Sequence, residues 1–254
     1  MKRNKKGSGA FGKKAIMVGM LAAVLAFGLV LAGCDNGNGG GDDDGPLPGI
    51  KEETTGKETI AYSDISVSGI ANASYANTSN GYTIAVSGGK LTLSLTTPTY
   101  TEPVSGFGSW LFGQDYSSWN NATNSAVYTN PFTASPANVN IAVQDSFAVD
   151  SNWTESVARY WEDTDGTTYQ KSSQIVYVYV SGDVALTRAA IKRNGDHGDP
   201  DTNYAAISLS LKKGWNLVQV DSNYTASGGS VTVKIADKDI PWVKENLSGA
   251  PTGN

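Results

Sequence analysis

The chain has 254 residues with a single cysteine and a single histidine, and its formal net charge is −5 at pH 7. One cysteine excludes a disulfide framework and a cysteine-rich metal site, and one histidine narrows the catalytic repertoire. The acidic balance argues against partners that demand clusters of lysine and arginine.

The first 34 residues have the pattern of an export signal. Six basic residues precede an apolar run over residues 15–30, which ends in Leu31-Ala32-Gly33-Cys34. This order of basic start, apolar run and small residues is typical of a secretory signal peptide. Leu31-Ala32-Gly33-Cys34 resembles the lipobox of bacterial lipoproteins, which implies that Cys34 is acylated and becomes the new N-terminus. A transmembrane helix is the alternative, but the run is shorter than the roughly 20 residues that a span prefers.

Removal of the signal makes the exported part strongly acidic. Thirteen basic and 24 acidic residues follow residue 33, so the formal charge becomes −11. This balance predicts that nucleic acid is not a partner, because binding to phosphates needs clustered basic residues. The resemblance to lipoproteins implies attachment to a membrane through a lipid anchor of several acyl chains, since one chain anchors only marginally. We expect the protein at the bacterial cell envelope, facing the periplasm or the cell surface, with the outer membrane favoured.

The rest of the chain divides by composition. Residues 34–58 begin with the lipidated cysteine and continue as a Gly/Asp-rich tract with almost nothing apolar to bury, which predicts a disordered tether. Residues 59–246 consist of short alternating runs separated by Gly, Asn and Ser, and this pattern predicts one domain of strands. Residues 247–254 are predicted to be a disordered tail.

Two regions of the predicted domain have clear strand patterns. Tyr82 to Thr96 alternates on both sides of Ser87-Gly88-Gly89-Lys90 and predicts a hairpin, with Leu91, Leu93 and Leu95 on one face. Ile207, Leu209 and Leu211 alternate before the turn Lys212-Lys213-Gly214, and Trp215 to Val220 is predicted to return beside them as part of a meander. Trp215 is predicted to be a core anchor between two layers. The run Leu-x-Leu-Lys-Lys-Gly-Trp-Asn (209–216) resembles one in small spirochaete-type surface lipoproteins of unassigned role, and this resemblance implies no site.

Two stretches depart from the strand pattern. Trp153, Val157 and Tyr160 or Trp161 have helical spacing after Asp150-Ser151-Asn152, which predicts one short helix. Residues 97–137 contain four prolines and no clear element, so we expect a long irregular insertion, and such segments are often functional.

Two acidic clusters are candidates for a metal site, and both have a simpler explanation. Asp163-Thr164-Asp165-Gly166 resembles the start of a calcium loop, but Trp161 and Ser172 occupy positions where that loop needs ligands, so a turn between two strands is favoured. The second cluster contributes Asp196, His197, Asp199 and Asp201, yet no second histidine or cysteine completes a tetrahedral site, and a solvated loop is favoured. The sequence therefore predicts no metal and no cofactor.

The catalytic repertoire is equally thin. The sequence lacks a nucleophile elbow, a phosphate-binding P-loop and a zinc-protease helix motif. A glycoside hydrolase with a carboxylate pair stays open, because such pairs are defined by distance in space. We predict that the protein is not an enzyme.

The aromatic segment 109–121 is the candidate binding site. Here Trp110, Tyr116 and Trp119 alternate with polar groups such as Asn120. Rings offer flat apolar platforms for sugars while amides and carboxylates bond hydroxyl groups, and the same mixture suits protein contacts. Alternatively, Trp110 and the neighbouring Leu111 and Phe112 close the end of the core.

These observations predict an all-β protein whose domain at residues 59–246 is a two-layer antiparallel β-sandwich with a long irregular insertion and one short helix. Two small sandwiches are the alternative. The predicted function is that of a membrane-anchored exported lipoprotein, non-enzymatic, that binds a glycan or a protein partner at the cell envelope. The first alternative is a structural envelope protein, and the second is a carboxylate-pair glycoside hydrolase. The sequence predicts no oligomeric state.

Overall fold

The protein consists of β-strands joined by turns. The computed structural model describes residues 53–104, 116–120, 125–128, 132–152, 155–165, 169–193 and 201–246, with the backbone alone at 116–120, 125–128 and 245–246. The first ten strands are β1 (Ile60–Ser66), β2 (Ala73–Asn77), β3 (Tyr82–Ser87), β4 (Lys90–Leu95), β5 (Glu102–Pro103), β6 (Tyr116–Asn120), β7 (Ser125–Tyr128), β8 (Thr133–Ser135), β9 (Asn140–Gln144) and β10 (Phe147–Ala148). The others are β11 (Glu155–Thr164), β12 (Tyr169–Val180), β13 (Val184–Arg188), β14 (Ile191–Arg193), β15 (Thr202–Tyr204), β16 (Ile207–Leu211), β17 (Gly214–Thr225), β18 (Gly228–Ile235) and β19 (Trp242–Asn246).

A ten-stranded sheet is the centre of the architecture. Its main order is β10-β11-β12-β17-β18-β15-β14, while β19 pairs with β11, and β9 pairs with both β5 and β12. Neighbouring strands are antiparallel, except that β15 and β18 run parallel. The two twelve-residue strands β12 and β17 pair along their whole length in the middle of this sheet.

Two smaller sheets pack against opposite faces of the large sheet. The four-stranded sheet β1-β4-β3-β2 covers Ile175, Tyr177 and Tyr179 of β12. The three-stranded sheet β16-β13-β8 covers the alternate residues of β12, which are Val176, Val178 and Val180. Because both faces of this half of β12 are buried, its sequence is a continuous apolar run instead of an alternating one.

The predicted all-β class and the sandwich of antiparallel sheets are confirmed, as are the hairpin and the core tryptophan; because the large sheet is covered on both faces, the sandwich has three layers instead of two. Strands β3 and β4 pair from Tyr82↔Leu95 to Ser87↔Lys90. Gly88 and Gly89 connect them with φ angles of 57° and 71°, the left-handed conformation that a tight hairpin turn requires and glycine adopts at low cost. Trp215 is fully buried, and its indole Nε1 donates to the backbone oxygen of Thr96 at 2.9 Å.

The short helix predicted around 153–161 is wrong. Residues 155–164 form β11, whose first half pairs with β19 and whose second half pairs with β12. Val157 and Trp161 are four residues apart, which is two periods of a strand, so they lie on one face of β11. Their helical spacing is incidental. Pairing with β19 and β12 overrides a weak local periodicity, since a ladder provides partners for backbone groups that a short helix would leave open at its ends. Trp153 lies outside the described residues.

The predicted pairing of residues 207–211 with 215–220 is also wrong. Strand β16 pairs with β13 in the three-stranded sheet, whereas β17 belongs to the large sheet. The turn at 212–214 therefore carries the chain from one layer to the next. A tight corner is imposed by Gly214, whose φ is 102° and whose missing Cβ would lie 2.4 Å from the backbone oxygen of Lys57.

The side chain of Asn216 holds this corner together. Its Nδ2 donates to the backbone oxygens of Lys212 at 2.8 Å and Gly214 at 3.0 Å, and its Oδ1 accepts from the backbone nitrogen of Lys212 at 2.9 Å. Asp183 adds an ion pair with the Lys212 ammonium at 2.9 Å. The run Lys-Lys-Gly-Trp-Asn is thus a structural corner motif.

The chain enters the domain beside the start of β17. Residues 54–57 lie antiparallel to it, in the place that β18 leaves after Ile235. The nitrogen and oxygen of Lys57 bond the oxygen and nitrogen of Trp215 at 3.0 and 2.7 Å, and the oxygen of Thr54 accepts from the nitrogen of Leu217 at 2.7 Å.

The segment 97–137, predicted to be irregular, contributes four short strands. β5 pairs with β9, β8 pairs with β13, and β6 and β7 form a two-stranded sheet. Among the described residues, no helix has the length and apolarity to cross a bilayer.

Candidate functional site

The structure leaves the predicted binding and lipidation residues largely outside its described part. Cys34 and Trp110 lie outside it, and so does the connection between β6 and β7. Tyr116, Trp119 and Asn120 lie in β6, where Trp119 pairs with Ala126 and Asn120 with Ser125. Only their backbone is described, so ligand binding at these residues stays a prediction.

Most of the candidate metal ligands also lie outside the described residues. Asp196, His197 and Asp199 lie outside the described residues, while the Asp201 carboxylate pairs with the Lys192 ammonium at 2.6 Å. Within the described ranges, no three His, Cys, Asp or Glu residues are grouped to hold a metal ion. The first acidic cluster, at 163–166, lies where β11 connects to β12, as the turn interpretation predicts: Asp165 accepts a hydrogen bond from the backbone nitrogen of Tyr169 at 3.0 Å.

A different candidate lies on the large sheet, where neither smaller sheet covers it. Strand register aligns one row of side chains across six strands, from Asp163 on β11 to Lys192 on β14. At about 4.8 Å between strands, the five steps of this row span about 24 Å. In lateral order the row is Asp163, Lys171, Asn223, Ser230, Asn203 and Lys192.

A second row runs beside the first, two residues closer to the core. It consists of Trp161, Ser173, Asp221 and Thr232 in lateral order. Tyr169 lies on the same face, two residues beyond Lys171, because alternate residues of a strand share a face. We call these eleven side chains, the two rows and Tyr169, the polar face.

The polar face is open and grooved. Lys171, Asn223, Ser230, Asn203 and Lys192 are exposed. A cavity of about 290 Å³ lies between Trp161 and Thr232, and a second of about 370 Å³ lies over β14 and β15. The two cavities share the lining residues Ser230 and Thr232, so they adjoin each other on the sheet, and together we call them the groove.

Asp221 is a carboxylate of the polar face that buried donors hold in place. Its Oδ1 accepts hydrogen bonds from the Ser173 hydroxyl and, at 2.7 Å, from Nε2 of Gln219. Ser173 is 3% exposed and Gln219 is fully buried, so both donors are fixed by the surrounding core. The other oxygen, Oδ2, faces the Lys234 ammonium at 3.4 Å. The carboxylate is therefore held in one orientation before any ligand arrives.

The same contacts keep Asp221 ionised. Partial burial acts to raise the pKa of the carboxyl group, but the hydrogen bonds from Ser173 and Gln219, with the charges of Lys238 and Lys234, outweigh it. The pKa of Asp221 therefore lies below its ordinary value, because these interactions favour the charged form.

One aromatic ring, Trp161, lines the first cavity of the groove, and a second, Tyr169, lies beside its lining residue Lys171. Trp161 is half-buried and packs against the edge of the core under the four-stranded sheet. Tyr169 donates its hydroxyl hydrogen to Asp163 Oδ1 at 3.0 Å and has the Lys171 ammonium 5.8 Å from its ring centre. Each ring thus combines an apolar surface with adjacent polar groups.

The nearby Arg159 has a structural role. Its guanidinium is 3% exposed, donates to the Ile240 backbone oxygen at 3.0 Å and pairs with Asp239 at 2.9 Å. Its Nη1 also donates to the hydroxyl of Tyr62, at 3.4 Å, which ties the four-stranded sheet to the large one. Because the Arg159 guanidinium is enclosed by these contacts, its role is to join the two sheets.

The sequence contains a signal for the polar face that its periodicity does not reveal. The first half of β12 is polar and the second half apolar, while β17 has the reverse order. Because the two strands are antiparallel and in full register, their polar halves lie side by side. Comparison with known protein families, curated proteins and solved structures gave no match, so the case for a function rests on this geometry.

Proposed function

We propose that this protein is a lipid-anchored, non-enzymatic envelope protein that binds a glycan on the polar face. The observation that carries the proposal is the carboxylate of Asp221, which buried donors hold in one orientation in the first cavity of the groove. A carboxylate that is only part of a solvated surface needs no such support. Fixed polar groups reduce the entropy lost on binding and favour recognition.

The chemistry of the groove suits a sugar chain. Hydroxyl, amide and carboxylate side chains supply both donors and acceptors, which match the alternating donor and acceptor character of sugar hydroxyl groups. Trp161 and Tyr169 add ring surfaces against which the apolar face of a sugar can pack. A row of about 24 Å on a sheet accommodates an extended oligosaccharide better than a compact small molecule.

The charge state of Asp221 supports binding over hydrolysis. A carboxylate-pair hydrolase needs one carboxylic acid whose pKa is raised, so that it can protonate the leaving oxygen. Asp221 has a lowered pKa and remains an acceptor.

The proposal that the protein is lipid-anchored depends on the lipobox at 31–34 and on the tether that follows it.

The first experiment is a binding screen of the purified full-length protein, held in detergent micelles, against a panel of oligosaccharides. Ser230→Ala and Asn223→Ala should each weaken binding about fivefold, the value of one lost hydrogen bond of about 1 kcal/mol. Ser210→Ala is the matched control, because Ser210 is an exposed strand serine on the three-stranded sheet. Binding only to envelope proteins, or equal loss in all three variants, would contradict a glycan site on the polar face.

A second experiment tests the anchor. Labelled fatty acid should enter the wild-type protein in its own host and should not enter Cys34→Ala. Equal labelling of both forms would reject acylation at Cys34 while leaving the glycan site open.

A further inference from the structure

We infer that the groove selects an anionic glycan, with the ammonium groups of Lys171 and Lys238 as its charged contacts. The inference rests on the proposed function and names the class of sugar chain. Both lysines line the 290 Å³ cavity that contains Asp221.

Lys171 and Lys238 differ from most lysines of the described ranges in having no ion pair. Lys57, Lys192, Lys212, Lys234 and Lys244 each have a carboxylate oxygen within 4.0 Å. Lys171 contacts the ring of Tyr169, and no described carboxylate lies within ion-pair distance of either Lys171 or Lys238. In a chain with 24 acidic residues, two cations left unpaired in one cavity indicate a ligand that supplies the negative charge.

The carboxylate of Asp221 does not oppose this assignment. Ser173 and Gln219 both donate to its Oδ1, and Lys234 lies against its Oδ2. Its charge is therefore already compensated within the protein, and Lys238 adds a positive charge beyond ion-pair distance. A neutral sugar would use the hydroxyl and amide groups but would leave Lys171 and Lys238, which line the cavity, without an ion pair.

The test compares polygalacturonate with the same polymer after reduction of its carboxyl groups. The full-length protein in micelles should bind the uronate polymer at least tenfold more tightly, and added NaCl should weaken that binding, because salt screens exposed charges. Lys171→Gln and Lys238→Gln should each lower the affinity about two- to fivefold, the usual effect of an exposed ion pair. Both variants should bind the reduced polymer as the wild type does.

Lys213→Gln is the matched control, since Lys213 is exposed at the corner before β17 and also has no ion pair. Equal affinity for the two polymers would overturn the charge assignment but leave the proposed glycan site in place. Failure to bind either polymer, combined with binding to anionic phospholipid vesicles, would overturn both. Unchanged melting temperatures of the three variants would show that any loss comes from the site.

Discussion

Replacing Asn216 by alanine tests whether the corner at 212–216 is held by one side chain. The two hydrogens of the amide nitrogen, shared among three backbone oxygens at 2.8, 3.0 and 3.3 Å, and one acceptor bond of 2.9 Å would be lost. Each hydrogen bond contributes a net of about 1 kcal/mol, so Asn216→Ala should lower the free energy of unfolding by about 3 kcal/mol. The loss of stability is this large because Asn216 is fully buried, so water cannot replace its hydrogen bonds to the backbone.

Urea unfolding, followed by tryptophan fluorescence, measures this loss. With a slope of about 2 to 3 kcal/mol per molar urea, 3 kcal/mol corresponds to a midpoint about 1 to 1.5 M lower. Asn203→Ala is the control, because Asn203 is exposed on the polar face and its removal should change the free energy by less than about 0.5 kcal/mol. A midpoint for Asn216→Ala within 0.3 M of the wild type would refute this account of the corner.

Asn216→Asp sharpens the same test. The carboxylate would face the backbone oxygens of Lys212 and Gly214, which disfavour its charged form and raise its pKa in the folded state. Because the folded state would then hold a proton more firmly than the unfolded state, the variant should gain stability as the pH falls from 7 to 5. A pH-independent loss would mean that the lost donor bonds do not dominate.

Three other predictions concern single residues. Gly214→Ala should lower the free energy of unfolding by more than about 2 kcal/mol, and the melting temperature with it, because the new Cβ would lie 2.4 Å from the Lys57 oxygen at a φ of 102°. An unchanged melting temperature would mean that the corner can shift. Asp221→Asn should flatten the acid limb of the stability curve: a lowered pKa stabilises the fold above the unfolded value of 3.8, and this contribution is lost as the pH falls through the folded value. Acid melts of wild type and variant that stay parallel would contradict the assigned charge state. Trp119→Ala should weaken ligand binding by 1 kcal/mol or more with a nearly unchanged melt if the ring is an exposed contact, whereas a loss of about 3 to 5 kcal/mol of stability would place it in a core.

Local patterns in the sequence were sufficient for the strands that pair with their neighbours in the chain. The hairpin of β3 and β4 combines alternating leucines with a Gly-Gly turn, and both features act within fifteen residues. The burial of Trp215 follows from the same reasoning, because a large aromatic residue on a strand is most stable between layers.

The errors came from pairing over long distances. Nothing in residues 207–220 indicates that β16 and β17 belong to different sheets, since each strand shows an apolar pattern compatible with a hairpin. What separates them is Asn216, a polar residue inside an apolar run, and its role is visible only when its partners are in place. The first half of the segment at 155–164 shows the same limit, because its partner β19 is the last strand of the chain.

The polar face lies between these cases. Its composition can be read from the polar halves of β12 and β17, but a row across six strands requires the register of five separate pairings. A shift of one residue in any pairing would send the part of the row beyond that pairing to the opposite face. The sequence pattern instead favours the ring-rich segment 109–121, where the candidate binding residues are contiguous in the chain.

The attachment of residues 54–57 to β17 has a mechanical consequence for the anchored protein that we propose. A pull on the tether reaches the fold through the bonds of Thr54 and Lys57 to Leu217 and Trp215. Beyond them the load passes into β17, a central strand bonded along its whole length to β12. The three bonds of the entry segment should therefore break first under tension, lengthening the tether by a few residues while the sheet and its groove stay intact.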